Sequence, residues 1–329
     1  MTDGGERALI AWLRRRAGDT GGRIGDDAAF VPAAGELAVT VDHQIAGVHF
    51  PEGLDPRRAA RRLLAVNLSD LAAVGARPRS AFLALAGPSE RLFRGFLDGL
   101  VAACREAGVE LAGGDLARTE RLHASLTVTG ELPPRGRWVR RDAARPGDRL
   151  WLGGTVGESA AGRLVLAAGA GVAGRGIDLP PELAAPRALA RAARRAVRRH
   201  LAPRPQLELG AWLGRRRRAA AIDISDGLAL DLHRLLEASR VGATLEAERL
   251  PLAERAGELA ARLGRTALEL ALTGGEDYVL LFALAPSATP PEAAGCRAIG
   301  TVTGGRTVHL RHGGRTRRLE AAGWDHLAS

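Results

Sequence analysis

The chain is 329 residues long, 46% hydrophobic and 26% charged, a balance that suits one large or two ordinary globular domains with ample core. Its longest apolar stretches, such as Ala81–Ala86 and Val279–Ala285, are strand-sized, which excludes a membrane-spanning helix. The formal net charge is +10, yet all 47 basic residues are arginine; total lysine avoidance reads as coding bias rather than a nucleic-acid surface, and zinc-finger, RNP and basic-zipper patterns are absent.

In chain order, Glu6–Arg16 predicts a short amphipathic helix with Leu9, Ile10 and Leu13 on one face. Its apolar part is too short for a signal peptide and its charge follows rather than precedes, so a cytoplasmic location is expected. Leu37–Asp42 reads as a strand ending in an acid. Asp55–Ala73 reads as a helix, with Asp55 as N-cap, Pro56 in the first turn, and Gly75 and Pro78 closing it. Ser80–Ala86 is a strand, and Ser89–Ala107 a helix stopped by Gly108, with Cys104 on its apolar face. Short strands follow at Val109–Ala112 and Leu122–Gly130.

The run Pro133-Pro134-Arg135-Gly136 interrupts this pattern, so we expect an amino-terminal domain over 1–137 and a carboxy-terminal one over 148–329. Beyond the break come a strand at Arg149–Leu152, the loop Gly153–Gly157 and a helix at Glu158–Ala168. An arginine-rich helix follows at Pro186–His200, a strand at Ala220–Ile224, a helix at Leu228–Ser239, and strands at Tyr278–Ala285 and Ala298–Val302. Strands and helices mix in both halves without strict βαβ alternation, which predicts an α+β fold. Cys104 and Cys296 offer neither a disulfide framework nor metal-ligand spacing.

The missing lysine excludes a Walker A loop, a protein-kinase β3 lysine and a Schiff base. What stands out instead is a series of acids beside strand ends and glycines. They lie in Gly25-Asp26-Asp27, Val41-Asp42, Asn67-Leu68-Ser69-Asp70, Gly113-Gly114-Asp115, Asp223-Ile224-Ser225-Asp226-Gly227 and Gly274-Gly275-Glu276-Asp277. Each alone is ordinary turn chemistry. Were they gathered ~6 Å apart, each like-charge pair would cost about 2–3 kcal/mol at an effective dielectric near 20. Such a cluster needs bound cations, and an all-oxygen set selects magnesium or another hard ion. Gly113-Gly114 would let backbone amides approach a phosphate; Gly153–Gly157 reads equally as a phosphate contact or as the start of a helix.

Taken in order, these segments resemble the thiamine-monophosphate kinase family. The similarity is carried by Ile24-Gly25-Asp26-Asp27-Ala28-Ala29, Asp42 with Gly47-Val48-His49-Phe50, and Val66-Asn67-Leu68-Ser69-Asp70. It continues through Gly113-Gly114-Asp115, Gly157-Glu158-Ser159-Ala160-Ala161-Gly162, Asp223–Leu228, Gly274–Tyr278 and Gly323-Trp324-Asp325-His326. The resemblance implies a two-domain aminoimidazole-ribonucleotide synthetase-like fold, with mixed and antiparallel sheets carrying packed helices. It also implies a homodimer joined through amino-terminal sheets, and direct phosphoryl transfer from ATP to thiamine phosphate. It further implies magnesium ligands at Asp27, Thr40, Asp42, Asp70, Asp115, Asp223 and Asp226. ATP contacts are implied at Gly114, Asp115, Arg141 and Ser225, and thiamine phosphate contacts at His49, Glu276 and Trp324.

Two departures stand out. Val41 replaces a hydroxyl residue usual beside a metal, and Leu116 replaces the usual threonine. Related ATP-using enzymes fit less well: a selenophosphate synthetase needs a reactive amino-terminal Cys, and the hydrogenase-maturation relative needs a carboxy-terminal one. A basic nucleic-acid-binding protein is the alternative from another class; neither nucleic acid nor membrane is expected as a partner.

Overall fold

The computed structural model describes residues 12, 13, 15–17, 35–174 and 176–324. The segment Ile24–Ala29 with Asp27, and most of Glu6–Arg16, lie outside the described residues. The chain divides into two compact units, Met1–Leu71 with Ala76–Pro134, and Ala72–Gly75 with Arg135–Ser329.

The first unit holds a four-stranded sheet in the order β1-β4-β2-β3, with β1 Ala38–Ile45, β2 Arg77–Gly87, β3 Glu110–Arg118 and β4 His123–Glu131. β4 pairs antiparallel with β1 and β2, whereas β2 and β3 run parallel. That parallel step needs a crossover, supplied by the helix Glu90–Ala107. Ser89 caps this helix by accepting from the Leu92 N–H at 3.3 Å, and Gly108 ends it at φ 66°. Leu83, Leu85, Leu126 and Val128 of the sheet are buried, as are Leu63 and Leu64 of the helix Pro56–Ala73 and Phe96 and Leu100 of Glu90–Ala107. The other sheet face is open at β1, where Val39 and Val41 are 61% and 62% exposed.

Two strands run further than the sequence suggests. β1 continues three residues beyond Asp42. β3 does not end at Ala112 but carries Gly113-Gly114-Asp115 within it. A Cβ on Gly114 would lie 2.1 Å from the Leu83 carbonyl oxygen, so the glycine is what lets β3 pass close beside β2.

The second unit is built on a seven-stranded sheet in the order β13-β12-β9-β11-β5-β10-β8. Its strands are β5 Arg149–Leu152, β8 Ala220–Asp223, β9 Gly242–Glu246, β10 Leu280–Leu284, β11 Arg297–Thr303, β12 Val308–His312 and β13 Arg315–Arg318. A separate hairpin joins β6 Gly171–Ala173 and β7 Gly176–Asp178. All pairings in the large sheet are antiparallel except β9 with β12. Leu150, Leu152, Ile222 and Leu281 face one core with the helix Leu228–Ser239. Trp151, Ala221, Leu280 and Phe282 face another with the helix Leu207–Gly214. Burial on both faces explains why these strands read as unbroken apolar runs. No helix among the described residues is long and apolar enough to cross a membrane.

Candidate active site

In the first unit, the sheet register sorts the acids by face. Asp42, Leu126, Leu83 and Gly114 share one row, while His43, Ser125, Ala84 and Asp115 share the next, on the opposite face. Thr40 and Asp42 therefore point to the side where the helix Pro56–Ala73 brings Asp70. The Thr40 hydroxyl donates to Asp70 Oδ2. Burial, followed by the Asp70 charge and hydrogen bond, pushes the Asp42 carboxyl up to about 7, against the pull of Arg62. Arg62 is fully buried and donates to Gln44 Oε1 at 2.6 Å, two residues along the strand from Asp42. Nothing in its arginine-rich surroundings distinguished this residue by sequence.

Among the described residues, the buried atoms Asp42 Oδ2 and Asn67 Oδ1 have no hydrogen-bond partner. Both are acceptors, and Thr40, Asp42 and Asp70 offer only oxygen, so these residues fit a hard divalent cation. Among the described residues no three His, Cys, Asp or Glu side chains gather as a metal site. Asp27 lies outside those residues, and Asp115 is exposed on the other face. His49 sits in the turn after β1, where its Nδ1 accepts from the Ile45 N–H at 3.1 Å. The neutral ring then carries its proton on Nε2.

In the second unit, Asp223 ends β8 and is buried. The loop after it is held by an acid the sequence reading passed over. Asp231 Oδ2 accepts the N–H groups of Ser225, Asp226 and Gly227 at 3.1, 3.0 and 3.1 Å. Its Oδ1 accepts from Arg234 at 2.8 Å, and the same Arg234 nitrogen donates to Asp226. Burial pushes Asp231 up to about 6, opposed by the backbone bonds and by Arg234. Its only sequence signal is an acid in the first turn of a helix.

Two distant segments join this loop. Glu276 N–H donates to the Ser225 carbonyl at 2.7 Å and Tyr278 N–H to the Ile224 carbonyl at 2.8 Å. Both residues have left-handed φ, 59° and 49°, a strain of roughly 1–3 kcal/mol each that concentrates at functional positions. Trp324 N–H donates to the Asp226 carbonyl at 2.8 Å. Ser225, Asp226, Glu276 and Trp324 are thus brought together from three parts of the sequence. Glu276 also approaches His200 Nδ1 at 3.2 Å, and the Arg163 guanidinium lies 5.7 Å from the Trp324 ring centroid.

Asp277 decides the role of the Gly153–Gly157 loop. Its carboxylate accepts from Gly157 N–H at 2.6 Å and Ser159 N–H at 3.1 Å, while Gly153 and Val156 N–H donate to Leu280 and Pro251 carbonyls. These four amides are spent inside the protein, which favours the reading of the loop as the start of a helix. Full burial pushes Asp277 up to about 7, against those bonds and Arg199. Arg141 stands in a 3-10 turn, its side chain exposed and its carbonyl accepting from Ser239 Oγ at 2.6 Å. No hydrogen bond joins it to the Ser225–Gly227 loop among the described residues.

Residues 25–132 match the family described as AIR synthase related protein, N-terminal domain, and residues 145–313 match its C-terminal domain. A thiamine-monophosphate kinase of Rhodopirellula baltica is 35% identical over 301 residues, spanning 85% of this chain and 82% of that protein. The crystal structure of thiamine-monophosphate kinase from Stenotrophomonas maltophilia K279a gives a TM-score of 0.77 at 35% identity, covering 93% of this chain and 96% of that one. A structure of AaThiL complexed with AMPPCP and TMP gives 0.76 at 29% identity, covering 99% and 98%.

Proposed function

Because the chain belongs to the AIR synthase related family, and within it to the thiamine-monophosphate kinases, we propose that it transfers the γ-phosphoryl group of ATP to thiamine phosphate, giving thiamine diphosphate. One geometric observation carries this reading. The Trp324 amide on the Asp226 carbonyl ties an exposed aromatic residue to the Ser225–Gly227 loop, which also holds the Glu276 amide. Transfer between two anions calls for charge neutralisation and in-line positioning more than for a strong base. An oxygen-rich, lysine-free donor set accords with that demand.

Magnesium is the cation we assign. Asp27, Thr40, Asp42, Asp70 and Asp115 of domain 1–137, and Asp223 and Asp226 of domain 148–329, would hold several ions; bound there, they would neutralise phosphate oxygens. Gly114, Asp115, Arg141 and Ser225 contact ATP in this reading. Trp324 offers its ring to the thiamine moiety, Glu276 its carboxylate and His49 its Nε2–H. A homodimer is formed through the first unit's sheet, which is supported by the outward Val39 and Val41. A cytoplasmic location accords with the free thiols of Cys104 and Cys296.

Purified protein given ATP, magnesium and thiamine phosphate is expected to release ADP and thiamine diphosphate in equal amounts, and to stop when EDTA is added. ADP release indifferent to thiamine phosphate would sink the assignment.

A further inference from the structure

The loop 225–227 follows a strand and opens a helix, the layout of a phosphate-binding loop, yet its polarity is reversed. Three consecutive N–H groups, which would otherwise face a bound anion, all point at Asp231 Oδ2. What the loop turns outward is the Asp226 carboxylate, since the Ser225, Asp226 and Gly227 carbonyls accept from the Glu276, Trp324 and Asp231 N–H groups. Asp226 is not unopposed, because one Arg234 nitrogen bridges it to Asp231. Asp231 is fully buried, whereas Arg234 is 39% exposed and Asp226 18%. The guanidinium therefore sits between an inner acid that cannot reach solvent and an outer acid that can.

We propose that Asp231 and Arg234 are positioning residues that set how strongly Asp226 holds a divalent cation, with Arg234 acting as an internal counter-ion that the cation displaces from Asp226 onto Asp231. This rests on the reading of Asp226 as a metal ligand. The two residues act in opposite directions. Removing the Arg234 charge leaves Asp226 uncompensated and strengthens cation binding. Neutralising Asp231 while keeping its amide-accepting oxygen leaves Arg234 only Asp226 to pair with, and weakens it. A purely structural role moves both variants the same way, since each loses internal bonds.

The test uses full-length protein without nucleotide, titrated with manganese(II) by calorimetry, and melted with and without magnesium. Arg234→Gln is expected to bind manganese roughly three- to tenfold more tightly than wild type, and Asp231→Asn more weakly by a similar factor, as charge-assisted bonds of this kind imply. The magnesium-induced rise in melting temperature follows the same order. Asp226→Asn separates the two ideas. Should that variant bind manganese as wild type does, the assignment of Asp226 as a ligand fails. Should it lose binding while Arg234→Gln binds no more tightly than wild type, only the counter-ion proposal fails. If Asp231→Asn does not fold, Arg234→Gln carries the test alone, and manganese affinity unchanged from wild type in Arg234→Gln overturns the proposal.

Discussion

Trp324 is tied to the Asp226 loop by the fold and not by its neighbours in sequence. The residue is 47% exposed, although its amide is fixed to Asp226 and Arg163 lies over the ring. A tail residue docked only for packing would bury its ring. Trp324→Ala is therefore expected to leave the melting temperature nearly unchanged and to weaken thiamine phosphate by about ten- to a hundredfold, the equivalent of 1–3 kcal/mol of lost stacking. The Michaelis constant for ATP should hardly move, and Trp324→Tyr should recover most of the loss. Normal thiamine phosphate binding by Trp324→Ala would place the ring pocket elsewhere. The acids Asp42, Asp70, Asp223 and Asp226 were picked out because they recur as a series beside strand ends and glycines, each alone being ordinary turn chemistry. Asp231 and Arg62 were not. Asp231 looks like any acid in a helix's first turn, and Arg62 is one of many arginines in a helix whose solvent side carries the rest. Only the fold reveals that both are fully buried.

The secondary-structure elements tell a parallel story of what periodicity can carry. The helix Leu228–Ser239 and strand Arg149–Leu152 fall where the pattern puts them, because a strong amphipathic period and two-sided burial leave little choice. The helix Leu207–Gly214, the β6–β7 hairpin and β12–β13 were not read. Each is eight residues or shorter, and β13 is exposed throughout, so neither period has room to register. Glycines explain another part. In Gly157-Glu158-Ser159-Ala160-Ala161-Gly162, the last glycine lies under the helix Arg187–Leu201, where a Cβ would stand 2.1 Å from the Ala196 carbonyl oxygen. Its presence is a packing matter. Gly162→Ala should force the two helices apart and cost about 1–3 kcal/mol, read as a melting temperature several degrees lower. Both Michaelis constants should stay near wild type in the folded fraction. A substrate-specific defect with unchanged melting would assign Gly162 to the site instead.

For the whole molecule, arginines from the basic runs are engaged within the fold. Arg216 stacks on Trp212 at 4.4 Å, Arg218 clamps the buried Asp148, and Arg195 and Arg199 bond Glu158 and the Asp277 carbonyl. Runs that suggest a nucleic-acid surface are thus partly scaffolding. The acids pose the sharper question, because burial raises Asp42 and Asp277 to about 7. A carboxyl whose folded value exceeds its unfolded one binds more protons in the folded state between the two values. Stability then falls as pH rises from the ordinary carboxylate range through about 7. Metal-free protein should accordingly melt higher at pH 6 than at pH 8. A cation at Asp42 must displace that proton, so binding releases protons and strengthens with pH. Magnesium should raise the melting temperature clearly at pH 8 and hardly at pH 5.5. Asp42→Asn should abolish most of the magnesium effect while keeping the part of the pH dependence that belongs to Asp277. A magnesium shift equally large at both pH values would mean that the cation sits on acids that are already ionised, away from Asp42.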